Sequence, residues 1–240
     1  FPNSVFSVNK SFLHSNKGNA IKSRAERAEI YNNWIENSEL KQSIYALELI
    51  GYEEYEPLPA INHDVVGNVI VIKSKSHGLR VGGDNTGNSN GSTRFSSNLF
   101  LFDNNYQKHI FRLNGKLQSL NITENIFIDR VNIKSKVNLV KDYIDSKDWH
   151  YAEPHININN NYLSFEHTTY RSESHGVIEK FNDLFSKISI KNNHIISADM
   201  RKRFINKTKI ISYTFSFLEE IHSKNSNVPN PYFYKNYDNL

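Results

Sequence analysis

The segment from His155 to Glu166 constrains the fold more tightly than any other stretch, because its alternation of apolar and polar side chains breaks at a single point. His155-Ile156-Asn157-Ile158-Asn159 and Tyr162-Leu163-Ser164-Phe165-Glu166 each carry the period-two pattern of a strand with one buried face. Asn160-Asn161 lies between them. Asn accepts positive φ more readily than other residues with a side chain, so this pair suits a two-residue type I′ turn. The expectation is an antiparallel hairpin in which Ile158 faces Leu163 and Ile156 faces Phe165 on the buried side. His155 would then face Glu166 on the polar side, with Glu153 and Thr168 on the same surface. A carboxylate beside an imidazole raises the His pKa or selects its tautomer, so Glu153, His155 and Glu166 form a candidate catalytic cluster. The plainer account of the same residues is an exposed sheet face with a cross-strand ion pair.

A chain of 240 residues, 38% hydrophobic and 12% aromatic, has ample material for a packed core. Its formal charge of +4 favours acidic surfaces without reaching the basic excess of a dedicated nucleic-acid binder. The absence of cysteine excludes disulfides, cysteine-ligated zinc and thiol nucleophiles. No run of 18 apolar residues and no leader pattern follow Phe1, so no membrane span or signal peptide is expected, and the start without Met suggests a fragment or processed chain.

Residues 1–19 are polar with scattered Phe and are expected to form a loosely attached arm. Ala20 to Ile50 is rich in Ala, Glu, Arg and Leu and is expected to form one or two helices, with Gly51 as the C-terminal cap. Pro57 and Pro59 then break the chain between an N-terminal arm and helical region, 1–59, and an α+β catalytic-like domain, 60–240, with one continuous domain as the alternative. Val65 to Ile72 is expected to be one buried strand. The glycine-rich segment from Gly78 to Ser92 matches neither a dinucleotide fingerprint nor a P-loop and is expected to be a surface loop. Phe95 to Phe102 and His109 to Leu113 are expected to pair as a hairpin through Asp103-Asn104-Asn105. Leu117 to Leu120 and Asn125 to Ile133 continue a β-rich middle. Val177, Phe181, Leu184, Phe185 and Ile188 form an amphipathic helical stripe within 174–188. A second helix is expected over 198–222, basic at Arg201, Lys202, Arg203, Lys207 and Lys209 and apolar along Ile211, Phe215 and Leu218. The overall expectation is an α+β fold: N-terminal helices, a mixed or antiparallel β-rich middle, and C-terminal helices packed on the sheet.

The order of YLSFEH (Tyr162 to His167), an amphipathic helix, ADMR (Ala198 to Arg201) and Glu220-Ile221-His222 resembles the OspC-type bacterial type III effectors over about the last 100 residues. Those effectors resemble ADP-ribosyltransferases and use NAD to modify a host protein. The resemblance implies a secreted or translocated toxin or virulence effector with NAD as co-substrate and a host protein as partner. In this chain Glu166 matches the strand carboxylate of the family, and Glu220 with His222 matches its Glu-x-His. Loss of nicotinamide passes through an oxocarbenium-like transition state that a preorganised carboxylate stabilises, a role open to Glu166 or Glu220. The pyrophosphate needs a cation, for which Arg80, Arg112 and Arg171 are candidates, and Tyr162 or Tyr170 can stack on nicotinamide.

Other classes compete. A metal-dependent hydrolase would use His150, Glu153, His155 and His167. A metal-free nuclease or phosphodiesterase would use His167-Thr168-Thr169, with the basic helix meeting nucleic acid. A non-enzymatic binding domain would need only the exposed β face and the glycine-rich loop.

Overall fold

Seven corners of the same build occur among the described residues. Each joins a residue of positive φ to the residue that follows it: Lys10-Ser11, Asn32-Asn33, Gly67-Asn68, Ser97-Asn98, Glu124-Asn125, Asn160-Asn161 and Asn192-Asn193. One left-handed residue bends an extended chain without reversing it, since a type I′ reversal requires positive φ at both central residues. In the computed structural model the chain therefore turns the corner and continues as a strand of a different sheet. The structure describes residues 4–14, 17–39, 44–50, 62–74, 77–83, 91–103, 109–113, 119–130, 137–142, 155–164, 167–168, 171–172, 188–197, 199 and 201.

The described residues form a parallel β-helix. The first sheet, A, stacks β1 (Val5–Asn9), β4 (Arg27–Tyr31), β7 (Asn62–Val66), β10 (Ser92–Ser96), β13 (Ser119–Thr123), β16 (His155–Asn159) and β20 (Ile188–Lys191). Beyond each corner, sheet B stacks β2 (Phe12–Leu13), β5 (Trp34–Glu36), β8 (Val69–Ile72), β11 (Leu99–Phe102), β14 (Ile126–Asp129), β17 (Tyr162–Leu163) and β21 (His194–Ile195). Sheet C stacks β3 (Ile21–Ser23), β6 (Leu47–Leu49), β9 (His77–Val81), β12 (His109–Leu113), β15 (Val137–Asp142) and β18 (His167–Thr168), and β19 (Arg171–Ser172) also pairs with β15. Every pairing is parallel, and each strand meets its counterpart one turn of the helix away. Successive rungs are therefore about 4.8 Å apart.

Inward side chains fill the lumen in layers. Ile30, Val65, Phe95, Ile122 and Ile158 line it from sheet A, and Ile35, Ile70, Phe100, Phe127 and Leu163 from sheet B. Phe100 and Phe127 stack with ring centroids 4.7 Å apart, and Phe111 of sheet C meets Phe95 edge-on at 4.9 Å. Each such side chain contributes roughly 1.5–3 kcal/mol of burial.

The corner asparagines form a ladder along this core. Asn33, Asn68, Asn98, Asn125 and Asn161 are buried. The side-chain oxygen of each accepts from the backbone N–H of its counterpart in the preceding rung, at 2.9–3.0 Å where both are asparagine. Its amide donates to a strand carbonyl of that preceding rung, as Asn98 does to Val65 at 2.9 Å and Asn161 to Ile122 at 2.9 Å. Buried backbone groups at the corner, which no sheet ladder reaches, are thereby satisfied. Ser11 begins the series, its N–H donating to Asn33 Oδ1, and Asn193 ends it.

This architecture corrects the α+β expectation. The described part of 20–50 holds four strands, β3 to β6, in place of helices. Ile21 and Ser23, Ala28 and Ile30, and Leu47 and Leu49 are buried at two-residue spacing, and lumen packing overrides the helix preference of the Ala, Glu and Arg between them. The expected arm instead contains β1 and β2. The single strand expected over Val65 to Ile72 is two strands bent at Gly67-Asn68, and Phe95 to Phe102 is likewise bent at Ser97-Asn98. Neither expected hairpin forms. Ile158 and Leu163 are buried as anticipated, but β16 pairs with β13 and β20 while β17 pairs with β14 and β21. Strands before and after residue 59 pair directly, β4 with β7 and β6 with β9. The helix expected over 174–188 lies outside the described residues except for Ile188, which belongs to β20. Of the helix expected over 198–222 only Asp199 and Arg201 are described, with Arg201 N–H donating to Ser197 O at 3.0 Å.

Candidate functional site

Strand alternation turns one set of side chains into the lumen and the other outward, so each sheet presents columns of residues one rung apart. The three outer faces differ in character.

On sheet A, the outward positions of β4, β7, β10, β13 and β16 are polar apart from Val66. Near the N-terminal end they form an ion-pair network. Glu29, Asp64 and Arg94 occupy one column on consecutive rungs. Asp64 accepts from Arg94 Nε at 2.9 Å, from Tyr31 Oη at 3.3 Å and from Arg27 at 3.5 Å, while Arg27 Nε also donates to Glu29 at 2.7 Å. Burial, and then the charge of Asp64, push the Tyr31 phenol above its usual range, so it stays protonated and donates. Both carboxylates are held by guanidinium groups, which suits them to structure and recognition rather than proton transfer. Farther along the face are amides and hydroxyls: Asn157 Nδ2 donates to Asn121 Oδ1 at 2.8 Å, and Ser119 Oγ to Ser92 Oγ at 2.6 Å.

Across β8, β11 and residues 126–128 of β14, sheet B is apolar on both faces. Val69, Val71, Leu99, Leu101, Ile126 and Ile128 alternate with the lumen residues and are themselves buried, so this second face is not an open surface.

Sheet C carries a column of charge. Lys22 lies opposite Glu48, Glu48 opposite Arg80, Arg80 opposite Arg112, Arg112 opposite Lys141, and Lys141 opposite Arg171. Glu48 is 3% exposed and is held between two cations, with Arg80 Nη1 donating to Oε1 at 2.8 Å and Lys22 Nζ 3.3 Å from Oε2. Arg112 Nη1 donates to the phenol oxygen of Tyr45 at 2.8 Å. Burial holds the Tyr45 phenol above its ordinary range despite the pull of Arg112 and Arg80, so it leaves the positive charge of the column intact.

The sequence-derived candidates fare unequally. Arg80 and Arg112 stand on neighbouring rungs, and Arg171 extends their column. Tyr162 lies on sheet B with its ring 5.3 Å from that of His194, whereas Arg80 and Arg112 lie on sheet C. His155 is an exposed residue at the start of β16, opposite Ser119 rather than Glu166. Glu153, Glu166, Tyr170, Glu220 and His222 lie outside the described residues, as does His150. No group of three or more metal-ligating side chains occurs among the described residues, and no helix among them is long and apolar enough to cross a membrane.

Sequence reading missed Lys22, Tyr45, Glu48 and Lys141 as neighbours of the arginines. Their only signal is the recurrence of an apolar-x-apolar-x-x-Asn unit, seen in 28–33, 120–125, 156–161 and 188–193, at unequal intervals. Compared with known proteins, the chain matches no family model, no curated protein and no solved structure.

Proposed function

We propose that this chain is a β-helical binding module for an elongated polar ligand. The observation that carries this reading is the outer face of sheet A, where five consecutive rungs present amides, hydroxyls and ion-paired side chains on a rigid ladder. Columns that repeat every rung match a polymer that repeats its hydrogen-bonding groups along its length, such as a glycan. Planar amide, carboxylate and guanidinium groups fixed on strands pair with vicinal hydroxyls at little entropic cost. Affinity measurements of the folded protein against a panel of neutral and acidic polysaccharides test this, with Arg94→Ala and Asn121→Ala as sheet A variants. Binding weakened by both variants supports the reading, and no binding to any polymer defeats it.

A second reading is favoured by the adjacency of Arg80 and Arg112, which supplies paired cations suited to a pyrophosphate. It is the ADP-ribosyl transfer that the motif resemblance implies, from NAD to a host protein by a secreted or translocated effector. Its carboxylates would be Glu166 and Glu220. Incubation with labelled NAD and a eukaryotic lysate, with Glu166→Ala and Glu220→Ala controls, tests it: label on a protein band that either variant abolishes supports transfer.

A further inference from the structure

We propose that the edge formed by β20 and β21, the last described rung, takes up one further rung from a partner: an extended peptide segment carrying the apolar-x-apolar-x-x-Asn unit, added in parallel. This surface is separate from the outer face of sheet A and does not depend on the polar-ligand reading.

The corner asparagines define what this edge recognises. Asn33, Asn68, Asn98, Asn125 and Asn161 each donate twice to Oδ1 of the asparagine in the following rung, once from the backbone N–H and once from the side-chain amide, at 2.9–3.1 Å. Asn193 makes only the backward half of this pattern. Its Oδ1 accepts from Asn161, and its amide donates to Ile158 O at 2.8 Å. Among the described residues, no acceptor meets its backbone N–H or its second amide hydrogen. In every earlier corner these two donors converge on one atom, so together they specify an asparagine Oδ1 one rung on.

The packing points to the same occupant. β20 and β21 stand last in their sheets, so each keeps one edge of backbone N–H and C=O groups that no described strand pairs. Ile190 and Ile195 continue the lumen positions of Ile158 and Leu163. Ile158 and Leu163 are 0% exposed, whereas Ile190 is 37% and Ile195 60% exposed. A strand with an apolar residue opposite each covers both and extends the two ladders. In this mode main-chain hydrogen bonds give affinity and alternate side chains give specificity. The first rung of a second copy fits less well. It supplies Phe6 and Val8 in phase, but its corner residue is Ser11, which lacks the amide that the later corners donate to the preceding rung. The occupant is therefore a segment with Asn at its corner.

The probe is a labelled peptide with the sequence of residues 155–164, which carries Ile156, Ile158, Asn161 and Leu163 in the required phase. Its binding to the intact protein is followed by fluorescence anisotropy. The comparisons are the peptide carrying Asn161→Ala, a scrambled peptide, and the protein variants Ile195→Lys and Ile190→Lys, with circular dichroism melts to report folding. The expected result is saturable binding that falls about five-fold for the Asn161→Ala peptide, which lacks the corner acceptor, and about ten-fold for Ile195→Lys. Ile190→Lys keeps the test decisive if Ile195→Lys fails to fold. No binding of the peptide, equal binding of the scrambled peptide, or indifference to both the Asn161→Ala and the Ile195→Lys changes would overturn the proposal. Sedimentation showing that the protein alone assembles end to end, in a manner that Ile195→Lys abolishes, would also overturn it and assign the edge to a second copy. Polysaccharide binding by the same preparations bears on sheet A alone, so either reading can fail without the other.

Discussion

A single oxygen of Asn98 accepts two hydrogen bonds from Asn68, one from its backbone N–H and one from its side-chain amide, each at 2.9 Å. Asn98 in turn donates from the same two nitrogens to Asn125 Oδ1, at 3.0 Å and 2.9 Å. The relationship is directional and repeats from rung to rung, so each asparagine fixes the corner of the rung before it.

Asn98→Ala removes the acceptor for Asn68 N–H and the donor to Val65 O inside a buried corner. At about 1–3 kcal/mol for each orphaned group, the expected loss is about 2–6 kcal/mol. Asn193→Ala, at the half-buried end of the ladder, is expected to cost less. Urea unfolding of the two variants compares them, and equal losses would contradict the account.

His63 sits in the lumen, 1% exposed, with Nδ1 accepting from Ala28 N–H at 3.1 Å. Burial lowers its pKa from 6.5 to about 4, against a smaller opposing effect of Asp64. The unfolded chain takes up this proton near 6.5 and the folded chain only near 4, so the contribution to stability is complete above 6.5 and is lost as pH falls toward 4. At about 1.4 kcal/mol per unit the loss approaches about 3 kcal/mol. Unfolding free energies measured across this range should slope downward toward acid, and His63→Gln should flatten that part of the slope.

Gly67 has φ of +69°, and a Cβ built there lies 2.5 Å from Asn32 Oδ1. Gly67→Ala is expected to cost roughly 1–2 kcal/mol from the left-handed backbone alone, plus the displacement of Asn32. Glu124 holds the equivalent corner at φ of 58°, where Asn is better tolerated, so Glu124→Asn should raise the melting temperature. Thermal melts of the two variants should shift in opposite directions.

Phe100 is fully buried between Phe95, Phe111 and Phe127. Phe100→Ala leaves a cavity at the centre of the lumen and is expected to lose about 3–5 kcal/mol. The exposed Arg94 of sheet A offers the contrast: Arg94→Ala should change stability by less than about 1 kcal/mol. Chemical denaturation of both variants checks the ranking.

Several features of the fold are legible in single segments. The alternation in 155–163 identifies Ile156, Ile158 and Leu163 as core, and Asn160-Asn161 marks where the strand direction changes. Local pattern cannot say whether that change is a reversal or a corner, because the difference is one positive φ instead of two, and the asparagine ladder selects the corner. In 20–50, good helix formers carry apolar residues at two-residue spacing, and the choice falls to strand only once neighbouring rungs are present to pair with.

In 155–163 the sequence by itself determined which residues seek the interior and that the chain changes direction at Asn160-Asn161, since both follow from side-chain character over a few neighbouring positions. Only the tertiary structure decided that every described strand pairs in parallel with one a full turn away. It also decided that Arg80, Arg112, Lys141 and Arg171 share one column. The physical reason is that register across rungs is set by lumen packing and the asparagine ladder, while turns of unequal length hide that register from any fixed period along the chain.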